Sequence, residues 1–125
     1  MIPPNILVGE SIIRPAVIYL AGPMRNFPDF NFPAFDAYAE ALRRKGYVVV
    51  SPADLDREEG FHPEDVVTGE LQRKMMIRDV EAICTCDMLV LMPGWEESSG
   101  VKVEKALAEF LGLPVVQINQ MGIWN

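Results

Sequence analysis

Ala16-Val17-Ile18-Tyr19-Leu20-Ala21, closed by Gly22-Pro23, is the stretch that decides the fold. It is an unbroken uncharged run with β-branched Val17 and Ile18, and it shows no polar alternation. That pattern marks a strand covered on both faces, the kind found in parallel sheets. Three further runs resemble it, at 47–50, 87–92 and 115–118.

The segments between these runs carry helical spacing. Residues 34–45 place Phe35, Tyr38, Ala39 and Leu42 on one face, and Gly46 stands where a left-handed helix terminator belongs. Residues 64–83 read as mostly helical, with a break near Thr68-Gly69 and an inner stripe of Met76, Val80 and Ile83. Residues 101–111 form a third helical pattern, stopped by Gly112 with Pro114 two positions on. Strands alternating with helices imply right-handed crossovers and an α/β fold. The expectation is a single flavodoxin/Rossmann-like domain over residues 1–125, with a mainly parallel sheet of four or five strands and helices on both faces. Residues 1–15 contain Pro3, Pro4, Pro15 and the apolar Ile6-Leu7-Val8, and read as an arm of low regularity. The polar, acidic residues 53–63 read as a mobile loop, and residues 119–125 as a tail.

Composition narrows the partners. Half of the 125 residues are hydrophobic and 23% are charged, which is globular composition, and the formal net charge is −7. No Lys/Arg stripe interleaved with aromatics stands out, so a nucleic-acid polymer is not expected as a partner. Cys84 and Cys86 are too close for a stable bridge and read as small buried residues; metal or redox use is the lesser alternative. No apolar run reaches the ~20 residues of a membrane span, and the N-terminus lacks the build of a signal peptide. The chain reads as cytoplasmic, with no membrane partner and no metal or organic cofactor.

In open α/β sheets ligands bind beyond the carboxyl ends of the strands. Two segments about eighty residues apart fall there: Tyr19-Leu20-Ala21-Gly22-Pro23-Met24-Arg25 and Ser98-Ser99-Gly100-Val101-Lys102-Val103-Glu104. Each is a strand-to-helix turn whose backbone N–H groups suit an anion. Gly22 would let an anion approach the backbone, and Arg25 would add charge-assisted bonds. Gly22 is equally explained as a simple turn glycine. Ser98 or Ser99 caps the third helix; with Gly100 and Lys102 nearby, the same residues suit a phosphate. Glu104 is either a solvated glutamate or a nucleophile kept ionised by the helix dipole. Asp79, beside Arg78, is either half of a surface ion pair or a second carboxylate of the site. Asp87 reads as a backbone-bonding residue. His62 is too isolated for a metal site or a triad. Phe27, Phe30, Phe32 and Trp95 lie in loops at the same edge, where one could stack on a planar ligand.

These residues resemble the nucleoside 2-deoxyribosyltransferase superfamily. The likeness rests on Tyr19 to Arg25, on Arg78-Asp79 ahead of Cys86-Asp87-Met88-Leu89-Val90, and on Ser98-Ser99-Gly100-Val101-x-x-Glu104. It spans roughly residues 16–118 and is nearest to the small nucleoside 5′-monophosphate N-glycosidases and related short phage and prophage proteins. The resemblance implies phosphate contacts from Gly22, Arg25, Ser98 and Gly100. It implies Glu104 as nucleophile, Asp79 as a carboxylate near base and sugar, and Tyr19 as the group that orients Glu104. Ser99 and Trp95 complete the expected substrate-binding set. Pro23, Lys102, Val103 and Lys105-Ala106 depart from the pattern of the monophosphate hydrolases. The implied reaction is hydrolysis of the N-glycosidic bond of a (deoxy)nucleoside 5′-monophosphate. The alternatives are deoxyribosyl transfer between bases and a non-catalytic nucleotide-binding module. Relatives assemble as homodimers or larger, so the implied partners are a small nucleotide or nucleoside and a second copy of the chain. The arm patch and Met121-Gly122-Ile123-Trp124 are candidate contacts.

Overall fold

The computed structural model describes residues 5–8 and 12–123. Its elements run β1 (Asn5–Val8), β2 (Ile12–Pro15), β3 (Val17–Ala21), α1 (Phe32–Arg44), β4 (Val48–Val50), α2 (Pro52–Glu58), α3 (Gly69–Cys84), β5 (Met88–Leu91), α4 (Ser99–Phe110) and β6 (Val115–Gln117). Strands β3 to β6 form one parallel sheet in the order β4-β3-β5-β6. The first strand of this sheet is therefore internal, and chain order reverses beside it, as in flavodoxin-like folds. The expected α/β architecture is the one observed.

Strand alternation splits the core into two layers. Ile18, Leu20, Met88 and Val90 point to the face packed by Phe35, Ala39 and Leu42 of α1 and Ala53 of α2. Tyr19, Ala21, Leu89 and Leu91 point to the other face, against Ile83 of α3 and Val101 and Ala108 of α4. Both faces of β3 are sealed, which is why its sequence shows no alternation.

Several expectations need correction. The arm is not irregular: β1 and β2 pair as an antiparallel hairpin with Asn5 opposite Pro15. Asp87 fastens it. Its carboxylate accepts from the Val17 N–H at 2.7 Å and from both terminal nitrogens of Arg14 at 2.7 and 2.9 Å. The Arg14 bond holds that carboxyl below the usual carboxylate range. Residues 1–4 of the arm, including Pro3 and Pro4, and Trp124 of the tail lie outside the described residues.

Residues 53–63 are not one loop, because α2 occupies their first half. Pro52 starts that helix, Ala53 and Asp56 are buried under it, and Arg57 ties it to Asp36 of α1. α1 begins at Phe32 rather than at residue 34, and its cap residue Asn31 is left-handed at φ 61°. Asp29 and Phe30, both at φ 52°, precede it in the same conformation. The helix after residue 64 starts only at Gly69, where Thr68 Oγ1 accepts from the Leu71 N–H at 3.1 Å. Of its expected inner stripe, Ile83 is buried while Met76 and Val80 are half-buried. Cys86 is buried, and burial pushes its thiol up to about 12; Cys84 is exposed, contrary to the reading of both as interior. No described helix is long and apolar enough to cross a membrane.

Candidate active site

A cavity of about 420 Å³ opens beyond the carboxyl ends of β3 and β5. The turn after β3 supplies Gly22 to Phe27, the start of α4 supplies Ser98 to Val101 and Glu104, and α3 forms the opposite wall through Gln72, Met75, Met76 and Asp79. Seven of the expected site residues therefore share one wall space: Gly22, Arg25, Asp79, Ser98, Ser99, Gly100 and Glu104.

Glu104 is buried at 6% exposure, so it is not a solvated glutamate. It lies six positions beyond the cap Ser98, and a helix dipole acts mainly within the first turn. Burial dominates instead. It pushes the carboxyl up to about 8, against the opposing pull of the Tyr19 hydrogen bond. The expectation of a dipole-ionised carboxylate is corrected accordingly: burial rather than the dipole governs this group, and it opposes the charge that an attacking carboxylate needs.

Tyr19 does not line the cavity; it stands behind it. The ring is fully buried and its hydroxyl donates to Glu104 Oε2 at 2.6 Å. Burial, then the Glu104 charge, hold the phenol well above its ordinary value, so it remains a donor. Asp79 is a buried ion-pair member rather than a surface one, with its side chain 13% exposed. Burial pushes its carboxyl up, while Arg78 pulls it down.

Ser98 Oγ accepts from the Val101 N–H at 3.2 Å, which fulfils its capping role. A hydroxyl that accepts still has its own proton to give, so this one retains a donor. Ser99 is exposed at the cavity rim. At Gly100 an added Cβ would make only ordinary contacts, 3.8 Å to Ser98 Oγ and 3.9 Å to Met76 Cε. Packing within the chain does not require glycine there.

Gly22 differs. A Cβ on it would stand 2.7 Å from Met92 Sδ and 2.9 Å from Met92 Cβ. Close approach of the β3 and β5 ends is sufficient reason for this glycine, whatever the cavity holds. Lys102 is exposed and outside the cavity wall, so it does not join Arg25 there. Arg25 is exposed at the mouth and is the cation among the lining residues.

Trp95 is not at the cavity. It packs on the layer formed by Tyr19, Leu91 and Val101, with Lys105 Nζ 5.7 Å from its ring centre. Of the other loop aromatics, Phe27 lines the cavity at 41% exposure. Phe30 meets Phe61 edge to face, and Phe32 is buried at the start of α1. Sequence reasoning missed Gln72, Met75 and Glu97 as wall residues. The helical phase of Asp79 could have found two of them, since Gln72 lies seven positions and Met75 four positions before it, on the same face. Among the described residues no group of His, Cys, Asp and Glu is arranged to hold a metal ion.

A family described as a domain of unknown function (DUF4406) matches residues 16–117. The chain belongs to this family. No curated protein matches its sequence. Among solved structures, it is similar to a 2-deoxyribosyltransferase from the psychrotolerant bacterium Bacillus psychrosaccharolyticus, described as a biocatalyst for synthesis of antiviral and antitumoral nucleosides. The two share 26% identity with a TM-score of 0.60, over 82% of this chain and 71% of the other. The DUF4406 match begins at Ala16 and ends with β6, so it takes in every wall residue of the cavity.

Proposed function

We propose that this protein cleaves the N-glycosidic bond of a (deoxy)nucleoside or its 5′-monophosphate, with Glu104 as nucleophile. The observation that carries the reading is a carboxyl buried at the cavity wall and held by one phenolic bond of 2.6 Å from Tyr19. A buried acid with a single orienting donor, facing an open cavity, is a costly arrangement unless something reacts there.

The ionised Glu104 attacks C1′ of the sugar. The C1′–N bond breaks, its electron pair stays on the base nitrogen, and Asp79, directly or through water, delivers the proton that neutralises the departing base. A glycosyl ester on Glu104 results, through an oxocarbenium-like transition state of the kind met in retaining glycosidases. Attack on C1′ by water then gives the free sugar, and attack by a second base gives a new nucleoside; in each case the proton lost by the attacking group returns to Asp79, directly or through water. Both routes restore the Glu104 carboxylate and retain configuration.

Hydrolysis of a 5′-monophosphate is supported by Arg25 and the Ser98-Ser99-Gly100 turn, which would grip the phosphate and convert binding into orientation of C1′. Transfer between bases is supported by the 2-deoxyribosyltransferase likeness. One incubation separates them. The protein is mixed with a panel of nucleosides and 5′-monophosphates, with and without a second free base, and products are resolved by chromatography. Free base with free sugar or sugar phosphate means hydrolysis, and a new nucleoside means transfer. No base release from any substrate ends the proposal. Arg25→Ala should weaken turnover of 5′-monophosphates more than of free nucleosides; equal loss for both removes the phosphate assignment.

A further inference from the structure

One guanidinium between α2 and α3 is surrounded by three acids. Arg78, 15% exposed, places Nη1 2.8 Å from Asp56 Oδ1 and 2.5 Å from Glu59 Oε1. Its Nε and Nη2 both donate to Asp79, at 2.9 and 2.7 Å, and both choose the same oxygen, Oδ1. Asp56 is 3% exposed, and burial pushes its carboxyl up against the pull of Arg78. Such a cluster is a poor way to gain stability. Desolvation of buried ion pairs offsets most of their attraction, and apolar packing serves as well or better. α2 already has that packing through Pro52 and Ala53, both buried. The cluster needs another reason.

We propose that Arg78 is a positioning residue for Asp79, with Asp56 of α2 and Glu59 just beyond its end as its anchors. The inference rests on the glycosidic reading above for its consequence, though not for its geometry. A planar fork bonded from behind by Glu59, with the buried Asp56 in ion-pair contact beside it, holds Asp79 through one oxygen and sets the plane of its carboxyl group. The second oxygen, Oδ2, is left outside the fork, and Asp79 lies on the cavity wall. Arg78 thereby places one oxygen of Asp79 where it can pass a proton, directly or through water, to the departing base. The same charge acts on the neighbouring acid, since it opposes the burial that keeps Glu104 protonated. The charged and titratable groups around Asp79 are Arg78 on its own helix, Asp56 on α2, Tyr19 on β3 and Glu104 on α4.

The test compares wild type with Arg78→Gln and Arg78→Lys, each first checked for folding by its melting transition. Carbon-13 titration of the Asp79 and Glu104 carboxyls reads the electrostatic role without needing turnover. Arg78→Gln should move both titrations to higher pH. It should also carry the low-pH limb of kcat/KM upward, with roughly a ten- to hundredfold loss at pH 7. Arg78→Lys keeps a charge but loses the fork, so its titrations should stay near wild type while kcat falls and KM is held. If Arg78→Gln does not fold, Glu59→Gln removes the exposed anchor. Its kcat should fall with KM held, as for Arg78→Lys, while loss of a neighbouring negative charge leaves the carboxyl titrations unmoved or slightly lower. An unchanged kcat then overturns the proposal. Unchanged titrations and pH profile in a folded Arg78→Gln protein overturn the proposal. So does a loss that is equal at every pH and tracks the fall in melting temperature. Failure of the wild-type protein to release any base would sink the glycosidic reading alone, because the titrations still report on Arg78.

Discussion

The Tyr19 hydroxyl and Glu104 Oε2 stand 2.6 Å apart across 85 residues of sequence, joining the central strand β3 to the interior face of α4. This bond ties the sheet to the helix that carries the proposed nucleophile. It also sets the pH regime of the site, because the phenol stabilises a charge that burial opposes.

The first expectation concerns rate against pH. Glu104 must lose its proton to attack, and burial holds that proton up to about 8. Log kcat/KM for base release should rise with slope one through pH 6–7 and level off near pH 8. A limb at ordinary carboxylate pH would mean that another group limits the reaction. Tyr19→Phe removes the donor that favours the charged form, so the limb should move higher, with a loss of about tenfold or more at pH 7.

Stability should respond to pH in the opposite sense. The folded state binds the Glu104 proton more tightly than the unfolded chain does, over the window from the ordinary glutamate value of 4.5 to about 8. Its contribution is fully present below that window and is lost as pH rises through it. Glu104→Gln should therefore melt higher than wild type by an amount that grows between pH 5 and pH 8, reaching the order of 1 kcal/mol or more. Melting curves across that range check it. The same variant should bind nucleoside and release no base.

Gly22→Ala should destabilise the fold by about 1–3 kcal/mol, because the new methyl meets Met92 at under 3 Å. Denaturant titration in the absence of ligand is the measurement. If stability is untouched and only ligand binding suffers, the glycine serves the cavity and not the strand contact.

Asp87→Ala should release the N-terminal hairpin. The carboxylate is charged in the fold and held by Arg14 and the Val17 N–H, so the loss should be about 1–2 kcal/mol at neutral pH. Since its folded carboxyl lies below the unfolded value, the difference between variant and wild type should shrink as pH falls through the carboxylate range. Amide exchange in residues 12–14 gives a local readout.

Asp29→Gly should stabilise the protein by about 1 kcal/mol, since Asp29 sits at φ 52° without the freedom of glycine. Thermal melts of the single variant decide it.

The sheet was legible because its inner strands β3 and β5 are sealed on both sides and say so in unbroken apolar runs. Helix α2 was not, because its sequence is Pro-Ala-Asp-Leu-Asp-Arg-Glu and shows no apolar stripe. Its reason for being helical is distant: Asp36 on α1 and Arg78 on α3 satisfy its charges. The hairpin was hidden for a similar cause, as four-residue strands carry little periodicity and Asp87 fastens them from the far side of the sequence. In the site, the two turns and Glu104 could be read from their spacing, while the burial of Glu104 could not. A glutamate in the second turn of a helix looks the same in sequence whether it faces water or Tyr19. Trp95 was misplaced for the converse reason, since an aromatic in a loop gives no sign of whether it faces the cavity or the flank of α4.

The three left-handed residues before α1 have a geometric consequence at the cavity mouth. A right-handed coil cannot propagate backward through a turn of the opposite screw sense, so α1 cannot lengthen at the expense of the segment holding Arg25 and Phe27. Arg25 and Phe27 are thereby left outside the coil, on the turn that borders the cavity.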